Sequence, residues 1–464
     1  MATQKENCSV FTPDIIVEQM LDLLGYTENL YGHRILENSC GDGAFLSVVV
    51  RRYIADCREQ ELDNDEIKQG LERDIWGYEI NPETAACCVL RLNCIAEENG
   101  IHAVHWNVVV ADVLKTNIDI DFSYAAGNPP YITYSALKKD ARRYIKENFQ
   151  VCTAGKPDYY YAFVESALSN LNEAGKLVYL IPNNFFKTRF GDKLRQYLLP
   201  TLTDIYDYTR EKLFAGALTS STIIVCDRAS ASDSIQYHDV LNDEVYQIPK
   251  TEMEQRWVFP VNSNEPVTIG SRRFDDYFSA ASTVATLCNK AFLVEKPTAE
   301  LLAEMVLRPA VSAKSLTKKT TEHIIFPYTF NDDNLVRYSE EAFTVQFPHA
   351  AAHLKKHSKK LDERDKDEKA LWFEYGRSQA ISHMNQKKLL ISTLVTGKVK
   401  VYELDENTIP YTGIYIVPKS NMPLSQAKEI LESESFLSYV KRVGIHANGT
   451  SMRISISDVK EYLF

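Results

Sequence analysis

Asn128, Pro129, Pro130 and Tyr131 follow directly on an apolar run, residues 122–126, that reads as a buried strand stopping at Gly127. Two consecutive prolines fix φ and remove two backbone donors, so the carbonyls of this turn are held rigidly with little competition from the chain. Such a turn can offer Asn128 Oδ1 and the Pro129 carbonyl to a ligand amino group, with the Tyr131 ring lying beside it. The tetrapeptide alone equally describes a proline-stiffened loop with a packed tyrosine, so its surroundings decide.

Upstream, three carboxylates stand in matching places. Residues 34–37 read as a strand ending in Glu37, followed by a small-residue turn, Asn38 to Gly43, and an amphipathic helix over 44–57. A strand, a Gly-x-Gly turn (Gly41, Gly43) and a helix let backbone approach a ligand closely, with helix N–H groups behind it. Residues 75–78 form a second strand tipped by Glu79, before a helix opening at Asn81-Pro82. A carboxylate at that tip suits both hydroxyls of a ribose. Residues 108–111 form a third strand, ending at Asp112, and the fourth leads into Asn128. In an open α/β sheet, the carboxyl ends of the strands line the ligand crevice. Any one of these residues could be a helix cap or a turn acid; four in succession describe a crevice.

The remaining elements extend that sheet. Phe11-Thr12-Pro13 opens a helix with Thr12 as N-cap and Pro13 in the first turn. Residues 58–73 read as an inserted loop or helix. A helix over 159–171, a strand over 175–182, a helix over 191–199 and strands at 205–208 and 221–226 complete the domain. Residues 228–234 are a polar composition shift, which sets the expected domains at 1–235 and 236–464. Beyond it, short β-like runs (257–260, 324–327, 388–392, 413–417), a charged helix over 353–370 and helices near 424–442 suggest an α+β domain of unassigned topology.

The 464 residues carry a net charge of −11, which argues against indiscriminate nucleic-acid binding. Residues 241–464 sum to about zero, so the excess acid lies in the first half. The nine cysteines, with no apolar leader in residues 1–8, point to reduced thiols in a cytosol. Their spacing lacks a zinc pattern, and no apolar run approaches the roughly 18 residues of a membrane span.

Taken in order, these motifs resemble the S-adenosylmethionine-dependent amino-methyltransferases, most closely the gamma-class N6-adenine DNA methyltransferases (the TaqI-like type II restriction–modification methylases). Phe11-Thr12-Pro13 resembles that family's N-terminal cofactor loop, and Glu37-x-x-Cys40-Gly41-x-Gly43 its glycine-rich cofactor motif. Glu79 with Ile80, Asp112 with Val113, and Asn128-Pro129-Pro130-Tyr131 resemble the ribose, adenine and catalytic motifs. Leu213-Phe214 resembles the motif whose aromatic stacks on the target base. One departure, Asn38-Ser39 where many relatives have proline, follows the carboxylate without replacing it. The C-terminal half is similar only through Trp372 to Ser378, and Trp372, Tyr375 and Arg377 are the expected DNA-facing residues, with Arg377→Ala expected to weaken DNA binding.

The resemblance implies a Rossmann-like α/β catalytic domain joined to a C-terminal target-recognition domain, with S-adenosyl-L-methionine as cofactor and no metal. It implies methyl transfer to N6 of an adenine flipped out of double-stranded DNA, where Tyr131 and Phe214 stack on the base. A monomer on DNA in a prokaryotic cytoplasm, with any cognate restriction endonuclease acting separately, completes the expectation. An RNA base or a protein glutamine amide stays open as an alternative substrate.

Overall fold

The computed structural model describes residues 12–208, 221–253, 256–259, 270–320, 322–332, 334–446 and 451–464. The chain divides into two compact units, Met1–Pro260 and Val261–Phe464. The first is built on a nine-stranded sheet. Its elements begin with α1 (Asp14–Leu24), β1 (Ile35–Glu37), α2 (Ala44–Glu59), α3 (Asn64–Asp74), β2 (Ile75–Glu79), α4 (Pro82–Glu98), β3 (Asn107–Val110) and β4 (Phe122–Gly127). After α5 (Lys139–Asn148) and α6 (Tyr160–Ser169) come β5 (Leu171–Pro182), α7 (Asp192–Leu198), β6 (Leu202–Asp207), β7 (Ser221–Asp227), β8 (Ser234–Asp239) and β9 (Glu244–Pro249).

The strand order is β3-β2-β1-β4-β5-β7-β6-β8-β9. Strands β1 to β5 pair in parallel, and β7 runs antiparallel to both neighbours. Parallel strands covered on both faces must be apolar on both. In β5, Leu177, Tyr179 and Ile181 enter one core, and Val178 and Leu180 enter the other. The chain winds outward in both directions from β1 and β4, so the crevice at their carboxyl ends is the topological switch point.

Several expectations are corrected. The unit boundary falls after Pro260, not after residue 235, because β8 pairs in parallel with β6 and β9 closes a hairpin on it. Residues 257–259 form no strand. The Trp257 N–H bonds to the Phe186 carbonyl at 2.9 Å, and Trp257 and Phe259 pack in the first core beside Phe185 and Phe186. Thr12 does not cap α1, whose N-cap is Pro13 without a side-chain bond. The inserted stretch is largely α3, started by an Asp63/Glu66 capping box.

The second unit holds two four-stranded sheets. One is ordered β10 (Phe278–Ser282), β20 (Ile414–Pro418), β16 (Lys388–Ile391), β18 (Val401–Leu404); the other is ordered β11 (Leu293–Val294), β13 (Glu322–Ile325), β12 (Leu307–Ser312), β19 (Ile409–Thr412). A hairpin, β14 (Tyr328–Asn331) with β15 (Asn334–Arg337), and a ribbon of β17 (Leu394–Val395), β22 (Met452–Arg453) and β21 (Ile445–His446) complete it. The expected charged helix over 353–370 is instead two short helices, Pro348–Lys355 and Ser358–Asp362, followed by turns. Each half of the unit has its own apolar core.

Candidate functional site

Registers of the parallel strands bring the sequence-selected residues to one edge. Glu37 pairs with Gly77 two positions before Glu79, Glu79 pairs with Val110 just before Asp112, and Gly127 closes β4 beside Tyr179. Glu37, Glu79, Asp112 and Asn128 therefore all follow carboxyl ends of adjacent strands. Phe11 and Phe214 lie outside the described residues.

Asn128 is held by the N-terminal loop, since its Nδ2 donates to Thr12 Oγ1 at 3.1 Å. A threonine hydroxyl can accept from the amide NH2, as it does here. The bond as formed assigns Nδ2 to Thr12 and leaves Oδ1 as the acceptor end of the side chain. Beyond it, the Ile132 N–H takes the Pro130 carbonyl at 3.0 Å, whereas the Pro129 carbonyl receives no hydrogen bond from the described residues. One carbonyl is thus used to lock the turn, and the preceding one receives no donor from the described residues.

Tyr131 is half-buried, its hydroxyl donates to the Leu180 carbonyl at 2.9 Å, and burial raises its pKa above the usual phenol value. Its ring meets Tyr160 edge-on with centroids 6.4 Å apart. A supporting layer that the motifs alone did not mark lies behind it. Tyr160 Oη bonds Asn184 Oδ1 at 2.8 Å, Asn184 Nδ2 donates to Asp158 Oδ2 at 3.0 Å, and Asp158 Oδ1 accepts the Tyr134 N–H at 3.1 Å. The buried Asn38 ties β1 to the elements flanking this turn, with Nδ2 on the Phe163 carbonyl at 3.0 Å and Oδ1 accepting from Tyr179 Oη at 2.5 Å. Polar residues just after a strand were the available signal for both.

At the glycine-rich turn, Gly41 adopts φ +53° with open space where a Cβ would stand. Gly43 adopts φ +82°, and a Cβ there would meet Cys88 Sγ at 2.6 Å and its Cα at 3.1 Å. The first glycine leaves backbone open to a ligand, and the second lets α2 begin against α4. Cys40 is buried between them and Gly77.

The acids differ in their surroundings. Glu37 is 4% exposed, and burial, then nearby Cys88 and Asp42, push its carboxyl well above the ordinary value. Its Oε2 has no hydrogen-bond partner among the described residues. An ionised carboxylate so placed is costly unless a cation pairs with it. Glu79 is half-buried, and its Oε1 accepts the Asn81 N–H at 2.8 Å. Ile80 beside it is 67% exposed, a large apolar side chain at the crevice mouth, whereas Val113 is buried. Asp112 accepts the Leu114 N–H at 3.3 Å and pairs with Lys115 Nζ at 2.9 Å. That ion pair was not anticipated from the sequence.

The DNA-facing expectation in the second unit needs correction at Tyr375. Tyr375 is 1% exposed, donating through its hydroxyl to the Ile325 carbonyl at 3.0 Å, and is a core residue. Trp372 packs half-buried on the same core with its Nε1 donating to Glu340 Oε1 at 2.8 Å. Arg377 is paired with Asp365 at 3.0 Å and Asp367 at 3.4 Å. The segment is a folded corner rather than a free face, because its aromatics complete an apolar cluster and its charges close on neighbouring acids.

A doubly wound sheet with a reversed β7, a glycine turn after β1 and an amide–proline turn after β4 defines the class: a Rossmann-like methyltransferase fold. Residues 73–214 match the family described as Eco57I restriction-modification methylase. The chain is 24% identical over 500 residues to the type II methyltransferase M.BstVI of Geobacillus stearothermophilus, covering 96% of this chain and 86% of that protein. It is 26% identical to M.PaeR7I of Pseudomonas aeruginosa, over 40% of this chain and 34% of that one. Among solved structures, the Type IIL restriction-modification enzyme MmeI in complex with DNA superposes with a TM-score of 0.62 at 16% identity, covering 97% of this chain and 64% of MmeI. A nuclease-deletion mutant of the Type ISP enzyme LlaGI gives 0.57 at 14% identity, covering 94% and 44%. The resemblance read from the motifs is borne out, and these similarities support a DNA methyltransferase of the restriction–modification type. Among the described residues no helix is long and apolar enough to cross a membrane.

Proposed function

We propose that the chain methylates N6 of adenine extruded from duplex DNA, with S-adenosyl-L-methionine as donor. The observation that carries this reading is the Asn128–Pro129 pair. Asn128 Oδ1 is oriented by the Thr12 bond, and the neighbouring Pro129 carbonyl receives no hydrogen bond from the described residues. Two acceptors on one rigid turn suit an amino group with two protons to give. Accepting both favours a more tetrahedral nitrogen, whose lone pair is released from the ring. The same oxygens stabilise the positive charge that develops there, which is electrostatic preorganisation. The half-buried Tyr131 ring, anchored at its hydroxyl, forms a wall for a flat base. Inside a duplex N6 cannot be reached by such a turn, so the base is flipped out, at a cost of a few kcal/mol.

The crevice fits the donor. Glu37 would receive its ammonium group, which explains a buried carboxylate oxygen without a partner. Backbone around Gly41 would approach its methionine portion, Glu79 would accept from the ribose hydroxyls, Ile80 would cover an adenine face, and Asp112 would accept from the adenine amino group. Bound, the donor supplies an electrophilic methyl group on its sulfonium. Thr12 and Pro13 would close over the site, with Thr12 coupling closure to Asn128. The proton leaves to water after transfer, so no general base is assigned.

Duplex DNA would be read by the second unit. Lys398, Lys400 and Arg453 are exposed on and beside its β17–β22–β21 ribbon and make no side-chain hydrogen bond or ion pair with the described residues. Unlike Arg377, which is paired with Asp365 and Asp367, these cations would be free to neutralise phosphates. The protein would act as a monomer in a bacterial cytoplasm, with any cognate nuclease separate. Sequencing modified bases in DNA from cells expressing the protein tests the reading. N6-methyladenine at one short motif, absent with Asn128→Ala, is expected; N4-methylcytosine instead would overturn it.

A further inference from the structure

The second unit contains a cavity of about 470 Å³ whose wall includes Arg308, Pro309, Tyr328, Tyr338, Asp405 and Asn407. That volume lies in the range of small-ligand sites, roughly 300–1,000 Å³. Arg308 projects from β12, is half-buried, and has its guanidinium over the Phe326 ring at 4.6 Å. It makes no hydrogen bond or ion pair with the described residues, in contrast to Arg337, Arg364 and Arg377 in the same unit. Burial accordingly lowers its pKa. A guanidinium taken partly out of water without an acceptor is costly, and stacking on one aromatic face recovers only part of that cost. Its N–H edge is supplied for something else.

The rest of the wall narrows what that is. Asp405 is held in place: its Oδ1 accepts from the Asn407 N–H at 3.1 Å, the Thr408 N–H at 2.8 Å and Thr408 Oγ1 at 2.7 Å, and these bonds keep it ionised. Its Oδ2 has no partner among the described residues. The loop carrying it is anchored from below by the buried Lys388, whose Nζ donates to the Asp405 carbonyl at 2.8 Å and the Thr408 carbonyl at 3.2 Å. A fixed carboxylate in the wall opposes a phosphate ligand. One planar donor edge, one carboxylate acceptor, the Asn407 amide and two tyrosines instead suit an uncharged flat heterocycle that offers both acceptors and donors.

We infer that this cavity binds a guanine base, with Arg308 donating to O6 and N7 and Asp405 accepting from the N1–H and N2–H2 edge. Arg is the side chain whose geometry matches O6/N7. Adenine reverses the polarity at position 6 and cannot satisfy both groups. The guanine can come from a free nucleoside or from a nucleotide displaced from DNA. The cavity is independent of the methyl-transfer site, and its failure would leave that reading standing.

The test uses the full chain with its cofactor crevice saturated by S-adenosylhomocysteine, and calorimetric titration with guanosine, adenosine and inorganic phosphate, and with an oligoadenylate strand with and without one central guanine. Guanosine is expected to bind at least tenfold more tightly than adenosine, and Arg308→Met, which keeps the stem on Phe326, to lose at least tenfold. Guanosine binding identifies the free base as sufficient; guanine-dependent binding of the oligonucleotide alone assigns the source to DNA. S-adenosylmethionine affinity serves as the folding control, and Asn407→Ala replaces Arg308→Met if the latter melts early. Equal binding of adenosine, displacement by phosphate, or no guanine-dependent binding in either arm overturns the inference.

Discussion

A buried acid in the first unit can be set against a half-buried cation in the second. In the first, Glu37 Oε2, buried at the tip of β1, has no hydrogen-bond partner among the described residues. In the second, the half-buried Arg308 on β12 makes no hydrogen bond or ion pair with the described residues. Most other charges near them are spoken for: Asp112 by Lys115, Arg337 by Glu374, Arg377 by Asp365 and Asp367. The contrast teaches that an ionisable residue type at a suggestive position says little until its partners are known. Arg377 and Arg308 are both arginines of the second unit, yet only Arg377 has carboxylate partners among the described residues.

Asn128 provides the largest test of the contrast. Asn128→Ala removes one acceptor and the Thr12 bond while leaving the acids of the cofactor crevice in place. Loss of one preorganised hydrogen-bonding group typically lowers kcat by about 10²–10³. A drop of that size in single-turnover methylation, with S-adenosylmethionine affinity changed by less than about threefold, is expected. An equal loss of donor affinity would mean that the amide serves the crevice rather than the amino group.

Glu374 tests the other unit. It is 1% exposed, and its carboxylate accepts from Arg337 Nε at 2.6 Å, from Arg337 Nη2, and from the Leu371 N–H at 2.7 Å. Glu374→Gln leaves the part-exposed arginine with a weaker partner and should destabilise the protein by about 2–3 kcal/mol. Urea unfolding measures this. An unchanged midpoint would show that the Trp372–Ser378 corner is not the structural element its contacts describe.

That corner also shows where sequence reading runs out. The first unit was legible because its chemistry sits on turns immediately after buried strands, where residue type and order are both informative. Thr12, Asn128 and the three acids met at one edge as the motif order required. In the second unit the same residue types, Trp372, Tyr375 and Arg377, face inward, and only tertiary contacts reveal it. The β8–β9 hairpin was missed because the polar stretch 228–234 looks like a linker. Its signals were the alternation of Ile235 and Tyr237 and the Asn242-Asp243 turn, where Asp243 adopts φ +53°. The charged stretch 353–370 failed as one helix because its apolar residues do not sustain a stripe past Leu361, and the acids and cations beyond it pair with the 371–378 corner.

Glu37 sharpens the comparison through pH. Its folded pKa is raised, so the folded protein holds a proton that the unfolded chain releases. The stability it contributes is fully present below the ordinary glutamate value and is lost as pH rises toward the folded pKa. Glu37→Gln should therefore raise the Tm of the ligand-free protein at pH 8 and leave it nearly unchanged at pH 4. The same change should weaken S-adenosylmethionine binding by about tenfold, a loss of roughly 1.4 kcal/mol. Opposite signs for stability and binding are the signature of a charge kept for a ligand; a variant destabilised at both pH values would be reporting packing.

The smallest effects separate paired from unpaired cations. Removing Arg377 breaks two exposed ion pairs, each contributing about 0–1 kcal/mol, and takes no free charge from the surface. Arg377→Ala should leave DNA affinity within about twofold, against the expectation drawn from the sequence. Lys398→Ala and Arg453→Ala remove cations whose side chains have no partner among the described residues. Each should weaken binding alike for target and non-target duplexes and reduce the slope of log affinity against log salt by about 1. Affinity measured across a salt series on all three variants decides the matter. If Arg377→Ala changes the slope and the ribbon variants do not, then Asp365 and Asp367 release the arginine to DNA, and pairing in the free protein is no guide to which charges meet phosphate.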